Sequence, residues 1–324
     1  METAPSPDEF ETGTGIVAPA PLPEALPWKL TGLDETTFFV TKRHCGSSLV
    51  LDRTGPTEIR LDEPITAITG ANHRNGQRLV YLGCKDGTIH LWQDGRAEAI
   101  SWEKRSSVTA LHWDKGTLYA GYADGLHAIV DDREGIIYRE RAIEGPIVAI
   151  AKRGHAVAYA NRGLVYFPNL GMESRFDGEV LEIGFVDSED GPLLLALVRS
   201  KGTTFLYEVR PGEPRRLTDV VSPRSFSTLD DKVLVSAEFM PRLQIWRHEK
   251  RRLVYRMQFK QWLRPNDRVL SAGFLLYDAT PAVYVQTAAR GVITIEAIET
   301  PAGLLAGQRL LKWGNWQFPV RAVS

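Results

Sequence analysis

The sequence predicts an all-β fold in which one small sheet is repeated along the chain, and three observations support this prediction. Short runs of alternating apolar and polar residues recur, and this period-2 alternation is typical of strands. A polar residue followed by glycine separates neighbouring runs, as Asp86-Gly87 does within Cys84–Trp92. No stretch longer than a turn has the helical periodicity of an amphipathic helix.

The polar turn recurs at a regular spacing. Its markers are Gly46, Gly87, Gly125, Gly163, Gly202, Arg242 (after Pro241) and Gly291, at successive spacings of 41, 38, 38, 39, 40 and 49 residues. Glycine supplies the positive φ that a tight hairpin requires. The repeated unit therefore contains a hairpin whose turn is marked by this position.

A second series of short apolar strands runs in step with the turns. These strands begin at Ile65, Val108, Ile147, Val180, Ser225 and Arg268, each about twenty residues before its turn. The unit is thus about 40 residues with four strands, which is the period of a β-propeller blade. The sequence predicts a single β-propeller of seven four-stranded blades over residues 28–324.

The two ends of the chain differ from the repeats. Residues 1–27, the N-terminal tail, contain five acidic residues, no basic residue and six prolines, a composition that predicts an acidic, Pro-rich disordered segment. Phe318–Ser324 resembles the first strand of a blade, whereas the first blade has only a weak first strand near Trp28. We therefore expect the C-terminal strand to pair into the N-terminal blade and close the ring.

The overall composition favours a cytoplasmic protein. The formal net charge is −1, which provides no global attraction to nucleic acid or to anionic membranes. The sequence shows neither a secretory signal nor an apolar run of about 18 residues. Two cysteines, Cys45 and Cys84, are too few for a disulfide framework and fit a reducing compartment.

One repeat carries a family signature. The stretch GCKDGTIHLWQDG (residues 83–95) resembles the third strand of WD40 repeats, with Asp86 at the turn and Trp92 at the usual tryptophan position; Asp124, Gly125 and Trp246 fit the same pattern. The Gly-His dipeptide and the Trp-Asp ending of the family are missing, so the chain resembles a degenerate WD40 propeller. That resemblance implies a scaffold, and it suggests a bacterial propeller that accompanies AAA+ ATPases or von Willebrand A-type proteins.

The sequence lacks the common catalytic and metal-binding motifs. The sequence has no nucleophile elbow, no H-E-x-x-H and no phosphate-binding loop. Glu182, on a first strand expected to line the axis, is a single carboxylate without a partner for hydrolysis. His44, Cys45 and Cys84 form the best metal cluster, which falls short of the ligand set that zinc needs. The sequence predicts no enzyme activity, no cofactor and no metal, and an axial hydrolase is the second alternative function.

The turn residues predict a polarised face. In a propeller the turn between the second and third strands lies on the same face as the links between blades, so the charged turn residues form one rim. In chain order these are Asp86, Asp124, Arg162, Lys201, Arg242 and Arg290. A basic arc over blades four to seven therefore follows two acidic blades, and such an arc favours binding of an oppositely charged partner.

Aromatic residues suggest a second contact region. Trp262, Arg264, Trp313 and Trp316 are expected near the junction of blade six, blade seven and the closure, and Trp and Arg are the residues of interface hot spots. The segment Trp246–Arg264 interleaves seven Lys/Arg with four aromatic residues, as in a nucleic-acid-binding surface or a solvated outer strand. The leading prediction is a non-catalytic scaffold for other proteins in a multi-protein complex; the alternative is a nucleic-acid-binding module that uses the basic arc.

Overall fold

The computed structural model describes most of the chain after the N-terminal tail. The described residues are 28–32, 38–42, 47–52, 55–72, 78–93, 95–101, 106–131, 135–210, 212–217, 223–237, 243–249, 252–258, 269–277, 280–287, 291–300 and 303–311. Within them the chain forms strands and one short 3-10 turn, Pro168–Leu170, and no α-helix.

Seven groups of four strands follow one another along these residues. Sheet 1 contains β1 Trp28–Gly32, β2 Phe38–Lys42, β3 Ser47–Asp52 and β4 Gly55–Arg60; sheet 2, β5 Ile65–Asn72, β6 Arg78–Cys84, β7 Ile89–Gln93 and β8 Arg96–Ser101; sheet 3, β9 Val108–Asp114, β10 Thr117–Tyr122, β11 Leu126–Asp131 and β12 Gly135–Arg141; sheet 4, β13 Ala149–Arg153, β14 Ala156–Ala160, β15 Leu164–Phe167 and β16 Met172–Arg175. Sheet 5 contains β17 Glu179–Ser188, β18 Gly191–Ser200, β19 Thr203–Arg210 and β20 Glu213–Arg216; sheet 6, β21 Pro223–Leu229, β22 Lys232–Ala237, β23 Leu243–Glu249 and β24 Arg252–Gln258; sheet 7, β25 Val269–Tyr277, β26 Thr280–Thr287, β27 Gly291–Thr300 and β28 Gly303–Leu311.

Each sheet is a simple antiparallel meander in which strands pair in chain order. This confirms the predicted all-β fold of four-stranded antiparallel sheets. The predicted first strands of sheets 2 to 7 begin within two residues of the observed ones. From sheet 2 to sheet 7, the first strand of each sheet lies beside the first strand of the next, so these strands form the inner layer.

The hydrophobic core lies between neighbouring sheets. Tyr81 and Ile89 of sheet 2 are fully buried against Leu118 of sheet 3. Between sheets 5 and 6, Leu197 packs in one cluster with Trp246. Burying a side chain of this size stabilises the fold by roughly 1.5–3 kcal/mol. The second strands β10, β18 and β22 are buried at consecutive positions, and so are apolar on both faces.

The sheets approach one another closely at a glycine of the second strand. A Cβ atom at Gly83 would lie 2.4 Å from Cγ1 of Val108, and one at Gly121 would lie 2.6 Å from Cγ2 of Ile147. Real Cβ atoms do not approach side chains this closely, so glycine is required at both positions. The signal for this contact in the sequence is a glycine one residue before the end of the second strand.

A bulged threonine ties each of two sheets to the next. Thr66 lies where the register of β5 shifts against β6, and its hydroxyl donates to the carbonyl oxygen of Val108 at 2.5 Å. Thr109 occupies the same place in sheet 3 and donates to the carbonyl of Ile147 at 2.7 Å. These two hydroxyls therefore bond each sheet to the adjoining one.

The structure of the first sheet removes the reason for expecting that the C-terminal strand completes it. Trp28–Gly32, the weak candidate, is the first strand of sheet 1 and pairs with Phe38–Lys42. All four strands of this sheet come from residues 28–60, so it does not need Phe318–Ser324 to complete it. The closing strand itself, like the acidic tail of residues 1–27, lies outside the described residues, and both stay predictions.

Candidate interaction face

The turns between second and third strands lie on the face that carries the links between sheets. The amide of Lys85 donates to the carbonyl of Pro64 in the link before sheet 2, at 2.9 Å. The amide of Val180, at the start of sheet 5, donates to the carbonyl of Arg162 at 2.8 Å. These bonds place turns and links together as predicted, and we name this surface the turn face.

The two acidic turns are closed by their own aspartates. Oδ1 of Asp86 accepts hydrogen bonds from the amide of Thr88 at 3.0 Å and from its hydroxyl at 2.7 Å. Oδ1 of Asp124 accepts from the amide of Leu126 at 3.2 Å. The glycines that follow have φ values of 92° at Gly87 and 85° at Gly125, so these positions are turn formers that also carry charge.

The turn that carries Arg162 is built differently from the prediction. Gly163 does not have a positive φ. Instead, Oδ1 of Asn161 accepts from the amides of Gly163 and Leu164, both at 2.8 Å, and this side chain closes the turn in place of the glycine conformation. The repeat pattern predicted that Arg162 takes the place of Asp86 in the turn. The side chain that closes the turn is instead that of Asn161, and Arg162 is directed to solvent.

Arg162 lies beside a glutamate that a second arginine shares. Its side chain is 76% exposed, and Nε lies 3.7 Å from Oε1 of Glu179. Nη1 of Arg199 lies 3.9 Å from the other oxygen of Glu179. Exposed pairs at these distances are weak, so both guanidinium groups keep most of their capacity for other anions. Arg199 lies on β18, outside the turns, so the pattern of charged turn residues did not indicate it.

Lys201 and Arg216 extend the same cluster. Lys201 has a φ of 50°, and with Gly202 it makes the tight turn between β18 and β19, where it is exposed. Arg216 is exposed at the end of β20, and its guanidinium carbon lies 3.6 Å from the ring centroid of Phe205. Stacking orients a guanidinium and leaves its edge N–H groups available for anions.

We name these four cations, Arg162, Arg199, Lys201 and Arg216, the basic sector. They come from sheets 4 and 5. Glu179, the exposed Asp177 and the exposed Glu144, whose carbonyl accepts from the side-chain amide of Asn161, lie in the same region, so the net charge is +1, from four cations and three anions. The sector is basic, but less so than the uninterrupted arc that the turn residues predict.

The part of the turn face over sheets 2 and 3 carries more charged groups than the turns alone predict. Among the described residues, the link before sheet 2 adds Asp62 and Glu63 to the two turn aspartates, Asp86 and Asp124. Lys85 and Arg141, which pairs with Leu126 beside the sheet 3 turn, are cations of the same region. Polarity across the turn face therefore comes from the links as well as from the turns.

The remaining predicted contact residues are not placed by the structure. Arg242, Arg290, Trp262, Arg264, Trp313 and Trp316 lie outside the described residues, as do Gly46, His44 and Cys45. Gly291 begins β27, and Arg252–Gln258 is the outer strand of sheet 6, in line with the outer-strand interpretation of Trp246–Arg264. The arc over sheets 6 and 7 and the Trp/Arg hot spot thus stay predictions.

The opposite face carries a different ion cluster. Arg153, in the first hairpin of sheet 4, donates through Nε to Oδ1 of Asp187 at 2.9 Å, and its Nη2 donates to both Asp187 and, at 3.0 Å, Oδ1 of Asp230. The amide of Asp187 also donates to the carbonyl of Asp230 at 2.7 Å. One arginine thus joins sheets 4, 5 and 6.

The candidates for chemistry lie apart from both clusters. Glu182 is half-buried on β17, in register with Leu197. Cys84 is fully buried, and burial is the main reason that its pKa is raised to about 11, which keeps it a thiol rather than a thiolate ligand. Among the described residues, no group of His, Cys, Asp and Glu side chains has the arrangement of a metal site.

Solved structures share this fold at low sequence identity. The WD40 domain of Toxoplasma gondii coronin matches with a TM-score of 0.59 at 12% identity, covering 84% of this chain and 78% of that one. A chain of the mitotic checkpoint complex matches with a TM-score of 0.60 at 12% identity, covering 87% and 98%. BamB from Moraxella catarrhalis matches with a TM-score of 0.53 at 14% identity, covering 81% and 80%.

These likenesses define the class of the protein as a β-propeller with a WD40-like fold. At such identities the likeness concerns the fold alone. No family model matches the sequence, and no curated protein matches it. The association with AAA+ ATPases and von Willebrand A-type proteins stays a prediction. In the described part of the chain, no helix is long and apolar enough to cross a membrane.

Proposed function

We propose that the protein is a non-catalytic scaffold of the cytoplasm that docks partner proteins on the turn face of a seven-bladed propeller. WD40 propellers commonly act as protein-interaction scaffolds, and WD40 domains are among its structural neighbours. Support for a seven-membered ring comes from β1, which lies beside β25 of the last sheet. A rigid ring of sheets offers broad surface without a dedicated reactive pocket.

The observation that carries the proposal is the basic sector. Arg162, Arg199 and Lys201 are exposed on two adjacent sheets, and Arg216 is held against the ring of Phe205. Arginines held in place by stacking, beside further cations, suit the carboxylates of an acidic segment. The preferred partner is therefore a protein with an acidic, aromatic-containing surface segment.

The inner strands support a structural rather than a catalytic role. Thr66 and Thr109 bond to carbonyls of the adjoining sheets. Oγ of Ser227 accepts from the amide of Phe274 in the next sheet at 3.3 Å. Polar side chains of the axis are thus used to join sheets, which favours a scaffold over the axial hydrolase.

Nucleic acid is a weaker candidate for the basic sector. Glu179 lies between Arg162 and Arg199, and a phosphate that approached both cations would meet its carboxylate. A protein segment can offer N–H donors to Glu179 beside its own carboxylates, whereas a phosphodiester backbone has none. The mixed charge therefore favours protein over nucleic acid.

Affinity capture with charge-reversed variants tests the proposal. We expect Arg162→Glu combined with Lys201→Glu to lose the proteins that the unmodified chain retains, and Lys85→Glu, on the same face over sheet 2, to retain them. Binding that weakens steeply with salt and is competed by oligonucleotides would instead support nucleic acid. Retention of the same proteins by the double variant would contradict the proposal.

A further inference from the structure

We propose that the N-terminal tail folds back over the turn face and that its acidic segment Asp8–Glu11 occupies the basic sector, where it competes with partner proteins. The competition rests on the proposed function, whereas the contact between tail and sector does not. Three observations carry the contact: where the tail joins the fold, how far it reaches, and how its charges match the sector.

The tail joins the fold on the correct face. The links on the turn face lead into the first strands, as Pro64 leads into β5. Trp28 begins β1, the first strand of sheet 1, and the start of that strand belongs to the turn face. The tail therefore starts on the same surface as the basic sector.

The tail is long enough to reach sheets 4 and 5. Eighteen residues from Phe10 to Trp28 span roughly 60 Å when extended. Neighbouring sheets pack about 10 Å apart, so four steps around the ring cover about 40 Å. The acidic segment can thus reach the sector with slack, and attachment to the same chain raises its effective concentration to about the millimolar range.

The chemistry of the two surfaces is complementary. Asp8, Glu9 and Glu11 surround Phe10, and the tail has no basic residue. The sector presents four cations, and one of them, Arg216, is stacked on an aromatic ring. The three carboxylates are opposite in charge to the four cations of the sector, and the ring of Phe10 adds a stacking surface for a guanidinium group. The turn face over sheets 2 and 3 carries four described carboxylates against two cations and would repel the same segment.

Photo-cross-linking within the full-length chain tests this contact. With p-benzoylphenylalanine in place of Phe10, we expect cross-links to peptides within residues 149–216. Asp8→Asn, Glu9→Gln and Glu11→Gln together, which leave the propeller unchanged, should lower the yield by about fivefold, and so should Arg162→Glu with Lys201→Glu. Lys85→Glu is the matched control and should leave the yield unchanged.

Several results would overturn the proposal. Cross-links that lie mainly outside residues 149–216 contradict it. A cross-linking yield that neither set of charge changes lowers also contradicts it. So does a mixture of isotopically labelled and unlabelled chains in which the cross-links join different molecules. If cross-linking follows the prediction but the sector variants still capture every partner, the proposed function fails and the tail contact stands. If capture is lost without any cross-link to the sector, the tail contact fails and the proposed function stands.

Discussion

The glycine of the sheet 3 turn allows a sharp test of how the sheets are linked. Gly125 has a φ of 85°, and an added Cβ atom would lie 1.9 Å from the carbonyl oxygen of Ile143 and 2.9 Å from that of Gly145. Its own carbonyl accepts from the amides of Ala142 at 3.1 Å and Ile143 at 3.4 Å. Alanine at this position therefore strains the backbone and pushes the link to sheet 4 away.

A second glycine separates these two effects. Gly116, in the turn between β9 and β10, has a φ of 94°, and an added Cβ atom would meet nothing within 4 Å. Gly116→Ala should cost only the conformational term, about 1–2 kcal/mol. Gly125→Ala adds the overlap and weakens two buried backbone hydrogen bonds, which we estimate at about 2 kcal/mol more.

Thermal unfolding followed by circular dichroism measures the difference. For a chain of this size, about 2 kcal/mol corresponds to a Tm about 3 °C lower for Gly125→Ala than for Gly116→Ala. Urea titration of tryptophan fluorescence should rank the variants in the same order. Equal melting temperatures for the two variants would refute the packing of the link against Gly125.

Three further results are expected from the described contacts. Asp187→Asn removes an exposed ion pair with Arg153, so it should lower the free energy of unfolding by about 0.5–1 kcal/mol at low salt. The loss should be smaller at about 1 M salt, and smaller when Arg153 is already replaced by Gln. Urea titrations with and without the Arg153 replacement measure these differences. Burial lowers the pKa of His127 below its usual 6.5, so the unfolded chain binds more protons and stability falls as the pH drops below about 6.5. His127→Phe keeps a ring against Tyr159 and should reduce that acid loss in melts compared between about pH 7.5 and 5; an unchanged loss would rule His127 out as a source. In a Cys45→Ala background, Cys84, whose pKa is raised to about 11, should react with Ellman's reagent only after unfolding, and the signal should be absent when Cys84 is also replaced by Ala; reaction in the folded state would contradict its burial.

Local signals explain why the strands were predicted well. Alternation of apolar residues around Asp86-Gly87 and Asp124-Gly125 is a property of adjacent residues, and both turns have the expected positive φ. Trp246, identified from the repeat pattern, is buried between sheets 5 and 6. Where residues that are adjacent in the chain determine a strand or a turn, the sequence was sufficient to predict it.

Contacts between sheets were beyond the reach of the sequence. Glu179 meets both Arg162 and Arg199 only because a turn of sheet 4 and two strands of sheet 5 converge there, and no spacing along the chain indicates this. Arg153 joins Asp187 and Asp230 over 34 and 77 residues of chain. A glycine marker also misled the alignment at Gly163, because an asparagine side chain can close a turn without a positive φ.

The threonine bonds at the inner strands imply that junctions around the propeller differ in kind. At the positions that correspond to Thr66 and Thr109, sheets 4 and 5 carry Val148 and Leu181, which have no hydroxyl. The junction of sheets 4 and 5 is instead tied by the hydroxyl of Ser174, which donates to the carbonyl of Arg210 at 2.6 Å, and by Arg153, which donates to Asp187.

The basic sector spans the same pair of sheets, so a bound acidic segment would brace the junction that has no threonine bond. Amide hydrogen exchange in β13 and β17 should then slow when the sector is occupied, which makes occupancy of the surface detectable from the inner strands.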